Sequence, residues 1–179
     1  MKTLKLFYLT TLLFACLQLQ AQTQQGSMMI GGNAGFANTS QGDDGITVIS
    51  INPSLGYFVI DKLAVGASVG ITFFNGDLFE GTSFGAGPFA RYYFTDGSNI
   101  RPFGQVGFDW SSFKPKEGDS QTTTGFDVGV GASLFLNEHV AIDGIIGYNS
   151  MKDEGVDDRT NTFGITFGVQ AFFGGDSGN

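Results

Sequence analysis

The chain is poor in charge, in cysteine and in long apolar runs. Charged residues make up 15% of its 179 residues, with 9 Lys and Arg against 17 Asp and Glu and a net charge of -8. This balance argues against nucleic-acid binding, because little in the sequence could neutralise a run of phosphates. A single cysteine, Cys16, excludes an intrachain disulfide. After residue 21, no uninterrupted apolar run is long enough for a transmembrane helix.

The first 21 residues have the pattern of a targeting segment. A positive start at Lys2 and Lys5 is followed by a short apolar run over residues 6–17 and by Ala21, a small residue suited to cleavage. The run is short for a membrane span. We therefore predict a cleaved signal peptide over residues 1–21 and export from the cytoplasm.

Cys16 leaves a second route of processing open. Residues 13–16 resemble a lipoprotein box, in which the cysteine would be acylated. Phe14 is bulky for such a site, which favours simple removal of the segment. The intact mass of the mature protein distinguishes the two routes.

Glycine and phenylalanine are abundant, and they follow a pattern of period two. The chain has 28 Gly and 19 Phe. Over residues 83–110, apolar residues on one face alternate with glycine, polar residues and single charges on the other, and the Asp96 and Gly97 turn signal separates two halves. The same alternation recurs over residues 27–173. It predicts an all-β, antiparallel up-and-down transmembrane barrel of about eight strands of roughly ten residues each.

The connections alternate between short and long. Short turns are predicted at 59–62, 95–99 and 137–139, and longer polar loops at 38–45, 75–81, 111–122 and 151–161. In outer-membrane barrels the short turns are periplasmic, which would place both termini there. We predict the barrel over residues 22–174 and a flexible tail over 175–179.

A soluble barrel or β-sandwich is the competing architecture. It would turn Phe, Val and Ile inward and show water a face of Gly, Ser, Ala and Thr with very few charges. Such a surface would be poorly solvated and its sheet edges unguarded. Aromatic residues near the strand ends, such as Trp110 and Tyr148, also fit interfacial girdles better than a core.

Several segments carry a family resemblance, at residues 52–58, 63–66, 87–94 and 102–104 and in the last strand. In their order and spacing the chain resembles small outer-membrane β-barrel domains of the OmpA/OmpX type. The resemblance implies a location in the cell outer membrane, with lipid and lipopolysaccharide around the barrel. It also implies recognition by the barrel assembly machinery, through a last-strand signal to which four residues are similar: Thr166, Gly168, Ala171 and Phe173.

The inward face carries both aromatic rings and charges. An eight-stranded barrel has an interior that side chains can fill. The residues expected to point inward are Phe89, Tyr93, Phe103, Phe135, Phe172, Gln105, Asn149 and the charged residues named next. We predict a structural ion-pair cluster of Arg91, Arg101 and Asp143 in the periplasmic half, with Asp109 and Asp127 nearer the loops, because an unpaired charge in a narrow lumen would be costly. The alternative is that these charges only hydrate trapped water.

Catalytic and metal sites find little support, and no cofactor is expected. The only histidine, His139, lies in a predicted turn, so a Ser-His site cannot be assembled among the loops. Acidic loop residues at positions 43, 44, 77, 80, 117, 119, 153, 154, 157 and 158 could attract divalent cations. Their spacing matches no calcium loop, so solvated loops are the preferred interpretation. The expected role is structural or in surface interaction with an unknown extracellular ligand, and the alternative is a narrow channel for ions or small solutes.

Overall fold

The computed structural model describes residues 23–41, 44–76, 80–96, 98–116, 118–155 and 157–174. The predicted signal peptide, 1–21, and the predicted tail, 175–179, lie outside the described residues. None of the described residues forms a helix that is long and apolar enough to cross a membrane.

Eight antiparallel strands form a closed barrel in chain order. They are β1 (Met28–Gln41), β2 (Asp44–Ile60), β3 (Leu63–Gly76), β4 (Gly81–Tyr93), β5 (Ile100–Pro115), β6 (Gln121–Phe135), β7 (Val140–Asp153) and β8 (Arg159–Phe173). Each strand pairs with the next, and β8 closes the barrel against β1. The up-and-down barrel predicted from the alternation is confirmed.

The strands are longer than predicted. They contain 13 to 17 residues, so strand structure covers much of the four predicted long loops. For example, β5 reaches Pro115 and β6 begins at Gln121, inside the predicted loop at 111–122. The prediction was wrong because it followed apolar side chains, whereas the backbone ladder continues between polar residues such as Ser112 and Thr122.

The two ends of the barrel differ, and we name them by their connections. The turn end carries the three short turns, between β2 and β3, β4 and β5, and β6 and β7. The loop end carries the other four connections. Both ends of the described chain lie at the turn end, where the Ser27 hydroxyl donates to the Gly174 carbonyl at 3.2 Å.

The outer surface is apolar, and the packed core lies in the lumen. Side chains such as Val130, Ile165 and Phe167 are 61%, 64% and 68% exposed, whereas Phe103 and Phe172 are buried. Many of the exposed aromatic rings lie toward one end of the barrel or the other, with Tyr57, Phe94 and Phe173 at the turn end and Phe36, Phe73, Phe84, Trp110 and Phe163 toward the loop end. The predicted outward apolar face is confirmed, and it suits a lipid environment.

The closure between β1 and β8 covers only part of their length. Within the described chain, pairing joins Met28–Asn33 to Gly168–Phe173 and stops there. Toward the loop end, residues 34–36 of β1 and 162–167 of β8 have no ladder pairing with each other. We call this gap the seam.

Candidate functional site

An aromatic plug fills the lumen at the turn end. It consists of the rings of Phe58, Tyr93, Phe103, Phe135 and Phe172, none more than 6% exposed. Neighbouring ring centroids lie 5.0 to 6.5 Å apart, within the range of favourable aromatic contacts. Small residues leave room for the rings: a Cβ atom on Gly131 would collide with the Phe103 ring. The plug therefore fills the lumen at the turn end.

Residues 23–27 cover the plug at the turn end of the barrel. The Lys62 amide donates to the Thr23 carbonyl at 2.7 Å, and the Gly26 amide donates to the Phe58 carbonyl at 2.9 Å. The Phe58 amide in turn donates to the Ser27 carbonyl at 2.9 Å. These backbone bonds fix the segment across the turn end, and Thr23 is buried there.

An ion pair crosses the lumen directly above the plug. Arg91 Nη1 lies 2.5 Å from Asp143 Oδ2, and both side chains are buried. Arg91 Nε donates to Gln105 Oε1 at 2.9 Å, and its guanidinium carbon lies 4.1 Å from the centroid of the Phe103 ring. A buried charge needs such partners, because its desolvation is costly.

The second oxygen of Asp143 is also hydrogen-bonded. Ser133 Oγ donates to Asp143 Oδ1 at 2.5 Å, and the Tyr93 hydroxyl lies 3.4 Å from the same Ser133 oxygen. Met29 Sδ approaches both Arg91 Nη1, at 3.8 Å, and the Tyr93 hydroxyl, at 3.7 Å. The ion pair and the side chains around it therefore come from five strands, β1, β4, β5, β6 and β7.

Arg101 makes its contacts closer to the turn end. Its Nη1 donates to Thr23 Oγ1 at 3.0 Å, its Nε donates to the Ser98 carbonyl at 3.2 Å, and its guanidinium carbon lies 4.4 Å from the centroid of the Phe135 ring. The sequence predicted one cluster with Arg91 and Asp143. In the structure Arg91 and Asp143 are together, whereas Arg101 contacts the segment that covers the plug. A long side chain near the end of the barrel can reach partners outside the lumen.

Polar cavities occupy the lumen on the loop side of the ion pair, where Asp109 and Asp127 lie. We call the innermost cavity, of about 220 Å³, the chamber. Its lining comprises Gly32, Asn33, Asn52, Ser54, Ser68, Pro88, Phe89, Arg91, Gln105, Gly107, Asp109, Asp127, Thr166 and Gln170. A wider cavity of about 750 Å³ shares Asn52, Ser68 and Asp109 with it and continues toward the loop end. The lumen is thus filled at the turn end and hollow above.

Several lumen residues were not singled out from the sequence. They are Met29, Phe58, Ser133 and Gln170, all buried. Each follows the inward alternation of its strand, two residues from Gly31, Gly56, Gly131 or Gly168. Period two is therefore the signal that places them inside the barrel.

Groups suited to catalysis or metal binding are sparse. His139 lies in a turn, where its amide donates to Asn137 Oδ1 at 2.8 Å. Within the ranges that the structure describes, no three His, Cys, Asp or Glu residues cluster closely enough to hold a metal ion. Of the acidic loop residues, Glu80 pairs with Lys116 at 2.7 Å, and Asp43, Asp77 and Glu117 lie outside the described residues.

The four residues of the predicted last-strand signal lie along β8. Phe173 points outward at the turn end, where it is opposite Met28. Ala171 pairs with Ile30 and Gly168 with Asn33, whereas Thr166 lies at the seam. The part of β8 closest to the chain end is therefore the part that closes the barrel.

Comparisons with known proteins agree with this architecture. The Neisserial surface protein A has a similar fold, with 20% identity over 82% of this chain and 99% of that one and a TM-score of 0.62. The N-terminal β-barrel domain of Pseudomonas aeruginosa OprF gives 18% identity, 83% and 98% coverage and a TM-score of 0.58. OprG from Pseudomonas aeruginosa gives 15% identity over 86% of this chain and 98% of that one, with a TM-score of 0.54.

At these identities the solved structures show the fold alone. A comparison with curated proteins finds no match for the chain. The model of one protein family, described as the outer membrane protein beta-barrel domain, matches residues 7–170. The chain therefore belongs to the outer membrane protein β-barrel domain family, as a small eight-stranded member.

Proposed function

We propose that the protein is a non-conducting outer-membrane barrel with a structural or surface-interaction role. The observation that carries this proposal is the aromatic plug, which fills the lumen between the buried ion pair and the covering segment 23–27. A continuous path for ions would require these three layers to separate. The interior of an eight-stranded barrel is narrow enough for side chains to fill, and here they fill it at the turn end.

A liposome-swelling assay tests this proposal against the alternative of a narrow solute channel. Liposomes that contain the folded protein should swell in isotonic glycine or arabinose no faster than protein-free liposomes. A larger porin in the same lipid serves as the positive control. Swelling that increases with the amount of inserted protein would support the channel instead.

The loop end is the proposed site of surface contacts. We propose an orientation in which the turns and both termini face the periplasm and the loops face the outside of the cell. Lipopolysaccharide and an extracellular ligand would then contact the loops. Two single-cysteine variants test the orientation in intact cells with a membrane-impermeant maleimide. Asp158→Cys, at the loop end, should be labelled, and Glu138→Cys, in the β6–β7 turn, should not. The reverse labelling pattern would contradict the orientation.

Assembly and chemistry complete the proposal. We propose that the barrel assembly machinery recognises Thr166, Gly168, Ala171 and Phe173 at the end of β8. Phe173→Ala should slow folding by the machinery, whereas Phe163→Ala, at the other end of β8, should not. Equal folding rates of the two variants would contradict the assignment of the signal.

We also propose that the role is non-enzymatic. The one histidine lies in a turn, and the lumen carboxylate Asp143 is paired with Arg91.

A further inference from the structure

A cavity leads from the chamber to the seam. A cavity of about 270 Å³ extends from Asp109 and Asp127 to residues on both sides of the seam, Asn33 on β1 and Thr166 on β8. Along β8, inward residues such as Thr162, Gly164 and Thr166 are exposed, as are their outward neighbours. This stretch of wall therefore has no cover on either face. In lipid, such an edge must find polar partners.

The chamber presents hydrogen-bond acceptors that lack donors. Asp127 Oδ2 and Gln170 Oε1 are buried, and no group of the described residues donates to either atom. Gln170 as a whole is only 4% exposed. Buried polar atoms are usually paired, and an acceptor left alone carries a free-energy cost. Both atoms therefore call for a ligand that donates hydrogen bonds.

The charge balance of the chamber is negative. Asp109 and Asp127 lie on adjacent strands, diagonally across the β5–β6 ladder, because Asp127 pairs with Gly107 and Asp109 pairs with Gly125. Arg91 also borders the chamber, but its charge is matched by Asp143. Within the described residues, neither of these two half-buried carboxylates has a basic side chain paired with it. A partly desolvated charge is stabilised by a compensating charge.

We propose that the chamber binds the ammonium group of an amphiphile that enters through the seam. A primary ammonium group supplies three donors and one positive charge to the acceptors of Asp109, Asp127 and Gln170. Its polar linker lies along the exposed Thr162 and Thr166, and its acyl chains remain in the lipid beside the apolar outer face. An anionic headgroup would meet the two carboxylates and be repelled. This proposal is independent of whether the lumen conducts.

Native mass spectrometry of the folded full chain in a neutral detergent provides the test. The probes are phosphatidylethanolamine, phosphatidylcholine and phosphatidylglycerol with identical acyl chains, offered in equal amounts. We expect retention of phosphatidylethanolamine about tenfold above the other two, because phosphatidylcholine has no N–H donor and phosphatidylglycerol has no ammonium group. Equal retention of all three lipids would overturn the proposal.

Three variants locate the binding. The double variant Asp109→Asn with Asp127→Asn should abolish the preference, and Asp158→Asn, which removes one exposed loop charge, should keep it. Gly164→Phe should lower phosphatidylethanolamine retention by obstructing the seam, because a Cβ atom at Gly164 meets nothing within 4 Å, so a side chain can begin there without a collision. Each variant is first checked for the heat-dependent shift in gel mobility that marks a folded barrel. If the double variant does not show this shift, Asp109→Asn alone is used instead. We expect that single variant to reduce the preference for phosphatidylethanolamine.

Free ethanolamine separates the two sources of the ammonium group. We expect it to displace the lipid only at concentrations far above those at which the lipid saturates, since it cannot use the seam or the outer face. Displacement at comparable concentrations would overturn entry of an amphiphile. A preference that persists in the carboxylate variants would overturn the chamber as the site.

Discussion

Arg91 on β4 and Asp143 on β7 meet across the lumen, with Nη1 and Oδ2 2.5 Å apart. Their strands are separated by β5 and β6, so no backbone ladder joins them. The ion pair therefore connects opposite walls of the barrel, and it lies on top of the aromatic plug. Arg91 also contacts the Phe103 ring, so the ion pair and the plug are packed against each other.

Breaking this pair should be strongly destabilising. Arg91→Met or Asp143→Asn leaves a buried partner uncompensated, and we expect each to lower the free energy of unfolding by about 3–5 kcal/mol. Urea unfolding of the folded protein in lipid vesicles measures the change. Lys116→Ala is the control, because it breaks an ion pair to Glu80 that is exposed and should cost at most about 1 kcal/mol. An unchanged Asp143→Asn beside a strongly destabilised Arg91→Met would refute the pairing.

Ser133 should matter more than an equivalent lumen serine. Ser133→Ala removes the hydroxyl that donates to Asp143 Oδ1 and leaves a buried carboxylate oxygen with one partner fewer, at a cost of about 1–3 kcal/mol. Ser68→Ala removes a hydroxyl whose bond to the Gly87 carbonyl is 3.5 Å long, and it should cost much less. The two variants are compared by the same unfolding measurement. Equal costs would mean that the hydrogen bond to Asp143 contributes nothing special.

Two glycines of the lumen wall should respond differently to alanine. A Cβ atom on Gly66 would collide with the Leu55 carbonyl and the Phe89 ring, so Gly66→Ala should destabilise the barrel by about 1–3 kcal/mol. A Cβ atom on Gly164 meets nothing within 4 Å, so Gly164→Ala should be close to neutral. Thermal unfolding followed by gel mobility distinguishes them. A neutral Gly66→Ala would show that the wall there can relax.

An ion pair at the turn end should make stability depend on pH. Lys62 Nζ lies 2.9 Å from Asp96 Oδ2; the hydrogen bond between them lowers the pKa of Asp96 and raises the pKa of Lys62. The Asp96 contribution is present above the unfolded pKa of that carboxyl and is lost as pH falls through the folded value. The Lys62 contribution is present below its unfolded pKa and is lost as pH rises through the folded value.

The comparison of wild type with Asp96→Asn tests the loss of this contribution at low pH. Wild type should be slightly the more stable at about pH 7, because the pair is exposed to solvent, and the difference should disappear at about pH 2. Unfolding transitions at both pH values give the result. A difference of the same size at both would assign the effect to something other than ionisation.

The sequence predicted what depends on alternation and missed what depends on register. The outward apolar face and the inward Tyr93, Phe103 and Phe172 follow from period two, and the structure confirms them. The strand ends did not follow, because backbone pairing continues where side chains are polar on both faces. The seam was also out of reach, since it depends on where pairing between β1 and β8 stops.

Long side chains were the other limit. The position of Arg101 on the inward face was predicted correctly, but its rotamer carries the guanidinium to Thr23 at the rim. The side chain of Asp143 is shorter and reaches fewer positions, so its place on the strand largely determines its contact with Arg91. Site residues could therefore be named from the sequence more readily than their partners.

Planar-bilayer recording tests the closed lumen most directly. We compare wild type with a variant whose plug is cut back, Phe103→Ala with Phe172→Ala, after both show the gel shift of a folded barrel. Wild type should give no stable, reproducible unit conductance, and the variant should conduct intermittently. Stable unit conductance from the wild-type protein would contradict the account.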